Sequence, residues 1–104
     1  MIKVLIKKNN QNYENISIKG HAQADQFGKD LVCAGVSAII NGSLNGLDQL
    51  FQSETNLEVL DNEVIIKINN LSNKDIQLIC EFMILQLKTI EFQYPKNITL
   101  KEVD

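Results

Sequence analysis

The chain has 104 residues, the usual size of one domain, and its composition is that of an ordinary globule, which excludes a disordered or fibrous protein. The formal net charge of −3 argues against a nucleic-acid binder, which needs a basic face to displace counterions from phosphates. The sequence has no Arg. This excludes both a phosphatase loop that depends on Arg and bidentate recognition of phosphate.

The amino-terminal segment predicts where the protein works. No apolar run reaches the roughly 18–20 residues of a membrane helix, and residues 1–8 alternate instead of forming a signal-peptide core. We therefore expect a cytoplasmic protein with no membrane partner. Only two cysteines occur, Cys33 and Cys80, and without export signals they do not favour a disulfide framework.

Alternation of apolar and polar residues predicts the first two strands. Residues 1–8 have the period of a half-buried strand, residues 9–12 are turn material, and residues 13–18 alternate again. Together they predict a hairpin that ends at Gly20. Residues 21–29 are small or polar, with Phe27 the one large apolar side chain, and predict a loop.

A long helix is predicted next, with Asp30 as its N-cap. Residues 31–51 carry apolar side chains along one helical face: Val32, Val36, Ile39, Ile40, Leu47 and Leu50. Each of Gly35, Gly42 and Gly46 weakens a helix by about 1 kcal/mol relative to Ala. They predict close packing of the helix backbone against a sheet, and a break near Gly42 stays open.

The second half of the chain repeats the same rhythm. Residues 57–60 and 64–68 predict a second hairpin, and residues 97–103 predict a final strand. Between them, Ser72 is the predicted cap of a helix that runs to about Phe92. Its apolar face is widened by Leu78, Phe82 and Leu85, which predicts a second buried surface such as a dimer interface.

The predicted order is thus β-β-α-β-β-α-β over one domain that spans residues 1–104. This predicts an α+β fold in which a mixed sheet is packed against two helices, because that is the simplest way to bury both apolar helix faces.

Cys33 and His21 are the residues that point to chemistry. If Asp30 caps the helix, Cys33 lies in the first turn, where unpaired N–H groups and the helix dipole favour a thiolate and suit an oxyanion. His21 is the only histidine, and its ordinary pKa suits general-base work at neutral pH. From these residues alone, a buried structural thiol and a structural histidine stay open beside a cysteine–histidine enzyme.

The segments Gly20-His21-Ala22 and, after a short loop, Gly28-Lys29-Asp30-Leu31-Val32-Cys33-Ala34-Gly35-Val36-Ser37 resemble the signature of the Prp family of ribosomal-processing cysteine proteases. The resemblance covers nearly the whole chain, including the predicted element order. It implies a homodimeric cysteine endopeptidase that removes a short hydrophobic amino-terminal extension from a large-subunit ribosomal protein during ribosome maturation.

Roles follow from the resemblance position by position. His21 would be the general base and Cys33 the nucleophile of a dyad, with Ser37 on the same helical side one turn later. Asp30 matches the family pattern, either as the N-cap or as a residue that orients His21.

The same resemblance implies a mobile substrate loop. Gly20 and Gly28 would give the segment from Ala22 to residue 29 the freedom to open and close. Phe27 would either contact apolar residues of the substrate or anchor the loop as a partly buried side chain.

No metal or cofactor is expected, because His21, Cys33 and Cys80 fall short of a four-ligand zinc site and Cys80 belongs to an apolar helix face. Two other functions stay open. One is a non-catalytic, ribosome-associated module that binds a peptide, and the other is a thiol redox sensor.

Overall fold

The structure is a computed structural model that describes residues 1–20 and 27–103. Its strands and long helices follow the order β-β-α-β-β-α-β, which confirms the predicted α+β fold. They are β1 (Ile2–Asn9), β2 (Asn12–Lys19), α1 (Phe27–Phe51), β3 (Thr55–Val59), β4 (Glu63–Ile68), α2 (Lys74–Gln93) and β5 (Ile98–Val103), with a short 3-10 turn at Gln52–Glu54.

The strands form one mixed sheet in the order β3-β4-β2-β1-β5. β1 pairs with β5 in parallel, and the other neighbouring strands pair antiparallel. The β1–β2 turn places Asn10 at φ 51° and Gln11 at φ 69°. Positive φ at both central residues is the geometry that fits the right-handed twist of a two-residue hairpin.

One face of the sheet is buried beneath both helices. Along β1, Ile2, Val4 and Ile6 are buried, whereas the alternate residues Lys3 and Leu5 are exposed. Because side chains alternate across a strand, the buried and exposed sets point to opposite faces. The apolar core therefore lies between one sheet face and the helices, and the opposite face carries exposed side chains.

Polar contacts fix the first hairpin to α2. The Tyr13 backbone N–H donates to Oε1 of Gln77 at 2.6 Å, and the Gln77 amide donates back to the Tyr13 carbonyl at 2.9 Å. The buried Tyr13 hydroxyl donates to the Glu81 carboxylate. Burial first, and then this hydrogen bond, raises the pKa of Tyr13 well above its ordinary value.

The start of α1 differs from the prediction. The helix begins at Phe27, so Asp30 is its fourth residue, and the predicted N-cap role is wrong. An acid near a helix start satisfies the helix dipole from inside the first turn as well as from the cap position. The sequence signal that Asp30 gave therefore fits both positions.

Two further expectations for α1 are wrong: the close packing of Gly42 and Gly46 against the sheet, and the place of Leu50 on the buried face. A Cβ at Gly42 or Gly46 would meet no atom within 4 Å, so neither glycine serves a close approach to the sheet, and the helix runs unbroken through both. Gly35 does lie near a neighbour, the Ile90 side chain of α2, at 3.5 Å from such a Cβ. Leu50 is 68% exposed, and Leu44 takes a place in the core instead.

One helical segment, Leu31–Glu54, is long and apolar enough to cross a membrane by length and composition alone, contrary to the expectation from the sequence. Val32, Val36 and Ile40 are nevertheless buried in the same core as the strands. A core helix of a globular protein passes the same test of length and composition.

The cap of α2 lies one residue later than predicted. Asn73 is the N-cap, and its Oδ1 accepts from the backbone N–H groups of Asp75 at 3.0 Å and Ile76 at 3.1 Å. Ser72 instead donates its hydroxyl to Oδ1 of Asn70 at 2.8 Å. Asn and Ser cap helices about equally well, which is why adjacent candidates could not be separated by type.

Candidate active site

A cleft of about 300 Å³ lies beside α1, where the start of β1, the end of β2 and the β3–β4 turn meet. Its deeper wall is apolar and includes Ile2, Ile18 and Ile40. Polar groups such as Ser37 and Asn41 lie among the other lining residues. An apolar cleft with a few polar groups is the usual form of a binding site.

Cys33 lines this cleft from α1 and is half-buried, so its thiol is within reach of a ligand there. Ser37 lies one helical turn further on and lines the same cleft. The structure therefore brings these two predicted residues together, on the side of α1 that the spacing of four residues predicted.

The position of Cys33 along the helix differs from the expectation. Because α1 begins at Phe27, Cys33 is the seventh helical residue and lies in the second turn. The unpaired N–H groups of a helix are its first four, and the dipole effect falls off within the first turn. The expectation that Cys33 lies in the first turn, among its unpaired amides, is therefore wrong.

Gly20 is the third predicted residue at the cleft. It has a φ of +92°, and its N–H donates to the carbonyl of Asn62 in the β3–β4 turn at 3.1 Å. A Cβ at this position would lie 2.5 Å from the carbonyl oxygen of Met1. Positive φ and the close carbonyl together require glycine where β2 ends.

The β3–β4 turn is the part of the site that the sequence did not reveal. Val59, Leu60 and Asn62 all line the cleft, and the Leu60 side chain is 51% exposed. The one signal in the sequence is a pair of adjacent apolar residues directly before a polar turn, which breaks the alternation of the strand. Asn62 contributes its backbone carbonyl, which accepts the hydrogen bond from the Gly20 N–H. Every residue has such a carbonyl, so the residue type at position 62 does not predict this contact.

Cys80 is a core residue, as predicted. It is fully buried on α2, and burial raises the pKa of its thiol to about 12. Both cysteines are free thiols. A buried, protonated thiol is a poor partner for disulfide formation with Cys33, which weakens the redox-sensor alternative.

The remaining predicted site residues precede the position of Cys33 along the chain. His21 and Ala22 lie outside the described residues, so the dyad stays a prediction. Phe27 and Gly28 belong to the first turn of α1, so the predicted loop of residues 21–29 ends at least three residues earlier. Within the described part of the chain, no three His, Cys, Asp or Glu side chains converge as metal ligands.

Comparison with known proteins shows which family the chain resembles. The family model described as cysteine protease Prp matches residues 1–99. A ribosomal processing cysteine protease Prp from Staphylococcus aureus is 35% identical over 88 residues, covering 83% of each chain. The chain belongs to the Prp family of cysteine proteases. A Prp from Bacillus subtilis is 32% identical over 90 residues, covering 81% of this chain and 80% of its own.

Solved structures share the fold of this chain, among them two of the S. aureus Prp. The S. aureus Prp in complex with a covalently linked product peptide superposes with a TM-score of 0.88 at 33% identity, covering 99% of this chain and 100% of that one. The same enzyme with a substrate peptide gives 0.89 at 32% identity, with the same coverage. A protein from Streptococcus mutans gives 0.85 at 25% identity and covers 99% and 94%.

Proposed function

We propose that this Prp-family protease removes a short hydrophobic amino-terminal extension from a large-subunit ribosomal protein, in the cytoplasm, with Cys33 and His21 as its catalytic dyad. The observation that carries the proposal is the cleft itself. It holds a half-buried thiol at one wall and, at another, the glycine that directly precedes the only histidine.

The case for His21 rests on its bond to Gly20. Consecutive Cα atoms lie about 3.8 Å apart, so a residue attached to Gly20 starts from the lining of the cleft. Gly20 is itself fixed by its hydrogen bond to Asn62 and by the carbonyl of Met1. The imidazole next to this point is the base that we propose takes the proton of the Cys33 thiol.

The proposed reaction runs in two steps. His21 takes the proton of the Cys33 thiol, and the sulfur attacks the scissile carbonyl to form a tetrahedral intermediate. His21 then protonates the leaving amine as the C–N bond breaks, which leaves a thioester that water hydrolyses. A covalent link to a product peptide, as described for the S. aureus Prp, is what a nucleophilic mechanism produces.

The lining of the cleft supports an apolar substrate. Val36 and Ile40 of α1 line the cleft together with Val59 at the end of β3 and Leu60 of the β3–β4 turn, and the last two are largely exposed. Burying a Leu-sized side chain of a substrate there would contribute about 1.5–3 kcal/mol. This matches an extension whose residues are hydrophobic.

A substitution at the apolar rim tests the substrate. We expect Leu60→Asp to lower kcat/KM about 10–100-fold on an extended ribosomal protein with an apolar extension, because the apolar contact is lost. The ratio of kcat/KM between this substrate and one with serines in the extension should shrink in the same variant. The measurement is steady-state cleavage of both substrates by mass spectrometry.

The matched control is Leu50→Asp, since Leu50 is similarly exposed on α1 but does not line the cleft. It should cleave both substrates as the wild type does. If the wild type fails to trim the extended protein at all, the proposed substrate is wrong. If trimming occurs but Leu60→Asp retains the full preference, only the role of the turn is wrong.

We also propose that the protein is a homodimer joined through α2. Leu78, Phe82 and Leu85 are largely exposed on this helix, and Phe82 borders a groove of about 360 Å³. One apolar helix face can meet its own copy across a two-fold axis, since such an interface is self-complementary. The fold alone gives these side chains no role in the core.

The dimer proposal predicts the effect of a charge at its centre. Phe82→Glu should convert the protein from twice the chain mass of 11.8 kDa to a monomer in sedimentation equilibrium, because the carboxylate would be buried unpaired. Leu50→Glu, at an equally exposed site on α1, should leave the mass unchanged. A wild-type protein that sediments as a monomer at 100 μM, on the order of tenfold above a typical assay concentration, would contradict the proposal.

A further inference from the structure

Charge is segregated on the surface of this protein. Five exposed lysines lie on the face of the sheet that the helices leave uncovered, namely Lys3, Lys7, Lys19, Lys67 and Lys101. Two carboxylates lie in the same rows, those of Glu58 and Glu63, and a third, that of Glu14, lies beside Lys7. A chain whose formal net charge is −3 thus carries one positive face.

The strand register brings the lysines close together. Lys3 is directly opposite Lys19 on β2, and Leu5, two residues further along β1, is opposite Lys101 on β5. Neighbouring strands lie about 4.8 Å apart, and residues two apart on a strand about 6.8 Å. A shallow groove of about 380 Å³ lies among Lys3, Lys19 and Lys101.

Most of this charge is not neutralised by the protein. Lys7 pairs with Glu14 at 3.5 Å, and the Glu63 carboxylate accepts the Ser17 hydroxyl at 2.6 Å. Among the described residues, Lys3, Lys19, Lys67 and Lys101 form no ion pair. Like charges opposite one another on a sheet are destabilising, so this arrangement costs stability in the absence of a partner.

We propose that the uncovered sheet face binds RNA through its phosphate backbone. The ammonium group of Lys suits phosphate as a point charge, whereas recognition of carboxylates is served better by the planar fork of Arg, which the chain lacks. The rows contain no aromatic side chain on which bases could stack, so binding is insensitive to sequence.

The uncovered face adjoins the cleft at Glu63, which lines both the cleft and the groove among the lysines. Lys3, Lys19, Lys67 and Lys101 do not line the cleft that contains Cys33. A polyanion bound by these lysines therefore leaves the cleft open to a peptide. The formal net charge of −3 does not reveal the positive face, because it averages over the whole chain.

The test is binding of a fluorescently labelled 20-nucleotide oligouridylate to the full chain, followed by anisotropy. Contact with four phosphates predicts a slope of roughly −3 for log affinity against log salt, which is about a 50-fold loss between 50 and 200 mM salt. Lys3→Glu/Lys101→Glu should bind at least tenfold more weakly at 50 mM salt, and Lys3→Arg/Lys101→Arg should bind as the wild type does. Cleavage of a short peptide should stay unchanged in both variants.

The matched control is Lys74→Glu/Lys88→Glu, which changes the net charge equally but lies on α2, away from the uncovered face. It should lose less than threefold in affinity. Equal loss in both double variants would overturn the proposal, since overall charge would explain it. Absence of binding at 100 μM protein and 50 mM salt, or equally tight binding of a 20-residue polyglutamate, would overturn it as well, the latter in favour of an acidic protein partner.

Discussion

Replacing Cys33 by alanine is expected to lower kcat/KM for cleavage of the extended substrate by about 10⁴-fold or more, because the acyl-enzyme forms on the sulfur of this residue. The free energy of unfolding should change by less than about 1 kcal/mol, since the side chain is only half-buried. Cleavage is followed by mass spectrometry and stability by urea denaturation.

Cys80→Ala is the matched control. This side chain is fully buried, so its loss should reduce the free energy of unfolding by about 1–3 kcal/mol while the folded variant keeps wild-type kcat/KM. The two cysteines therefore predict opposite patterns: activity lost with stability kept for Cys33, and stability lost with activity kept for Cys80.

Alkylation separates a protease from a non-catalytic peptide binder. With the pKa of Cys80 raised to about 12, only about one Cys80 thiol in ten thousand is ionised at pH 8. Iodoacetamide should therefore add one equivalent to the native protein and two in denaturant, and the first should abolish cleavage. Cleavage that survives either alkylation or Cys33→Ala would contradict the assignment of the nucleophile. Peptide binding that alkylation does not change, with no cleavage by the wild type, would favour the binding module.

Much of the fold could be predicted because its signals are local and repeated. Each strand alternates with a period of two, and each predicted strand was found within about two residues of its observed bounds. The buried face of α2, from Ile76 through Leu87, follows helical spacing closely. The parallel pairing of β1 with β5 brings together two strands from opposite ends of the chain. The predicted mixed sheet over two helices already implied such a pairing between distant strands.

The errors arose where two physical explanations share one residue type. Asp30 fits a cap or a first-turn acid, Asn73 and Ser72 are equally good caps, and a helical glycine fits either close packing or open solvent. Because Asp30 was interpreted as the cap, the predicted position of Cys33 along α1 differs from the observed one by about a full turn. The observed position removes the helix-start amides from the expected mechanism and leaves the imidazole as the proposed source of activation.

The site itself was only partly visible in the sequence. A contiguous motif supplied Cys33 and Ser37, and the structure places both on one cleft. The opposite wall comes from the β3–β4 turn, which is far from that motif along the chain and reaches the cleft only through tertiary packing. Its Asn62 contact is made by a backbone carbonyl, so no pattern of residue types could have predicted it.

The end of β2 gives the second large expected effect. Gly20→Ala should lower kcat/KM by about 10²-fold, because a Cβ there meets the Met1 carbonyl and a φ of +92° disfavours alanine. The backbone must shift, and His21 shifts with it. A displacement of about 1 Å at a catalytic group can cost that factor even when the group is intact. Stability should fall by about 1–3 kcal/mol.

Gly42→Ala supplies the control, since a Cβ at this helical position meets nothing within 4 Å. It should raise the free energy of unfolding by about 0.5–1 kcal/mol and leave kcat/KM unchanged. Both variants are compared at a temperature where each is fully folded, so that a loss of folded protein is not counted as a loss of activity. If folded Gly20→Ala cleaves as fast as the wild type, the fixed end of β2 does not position the base, and the imidazole must be held by contacts further along the chain.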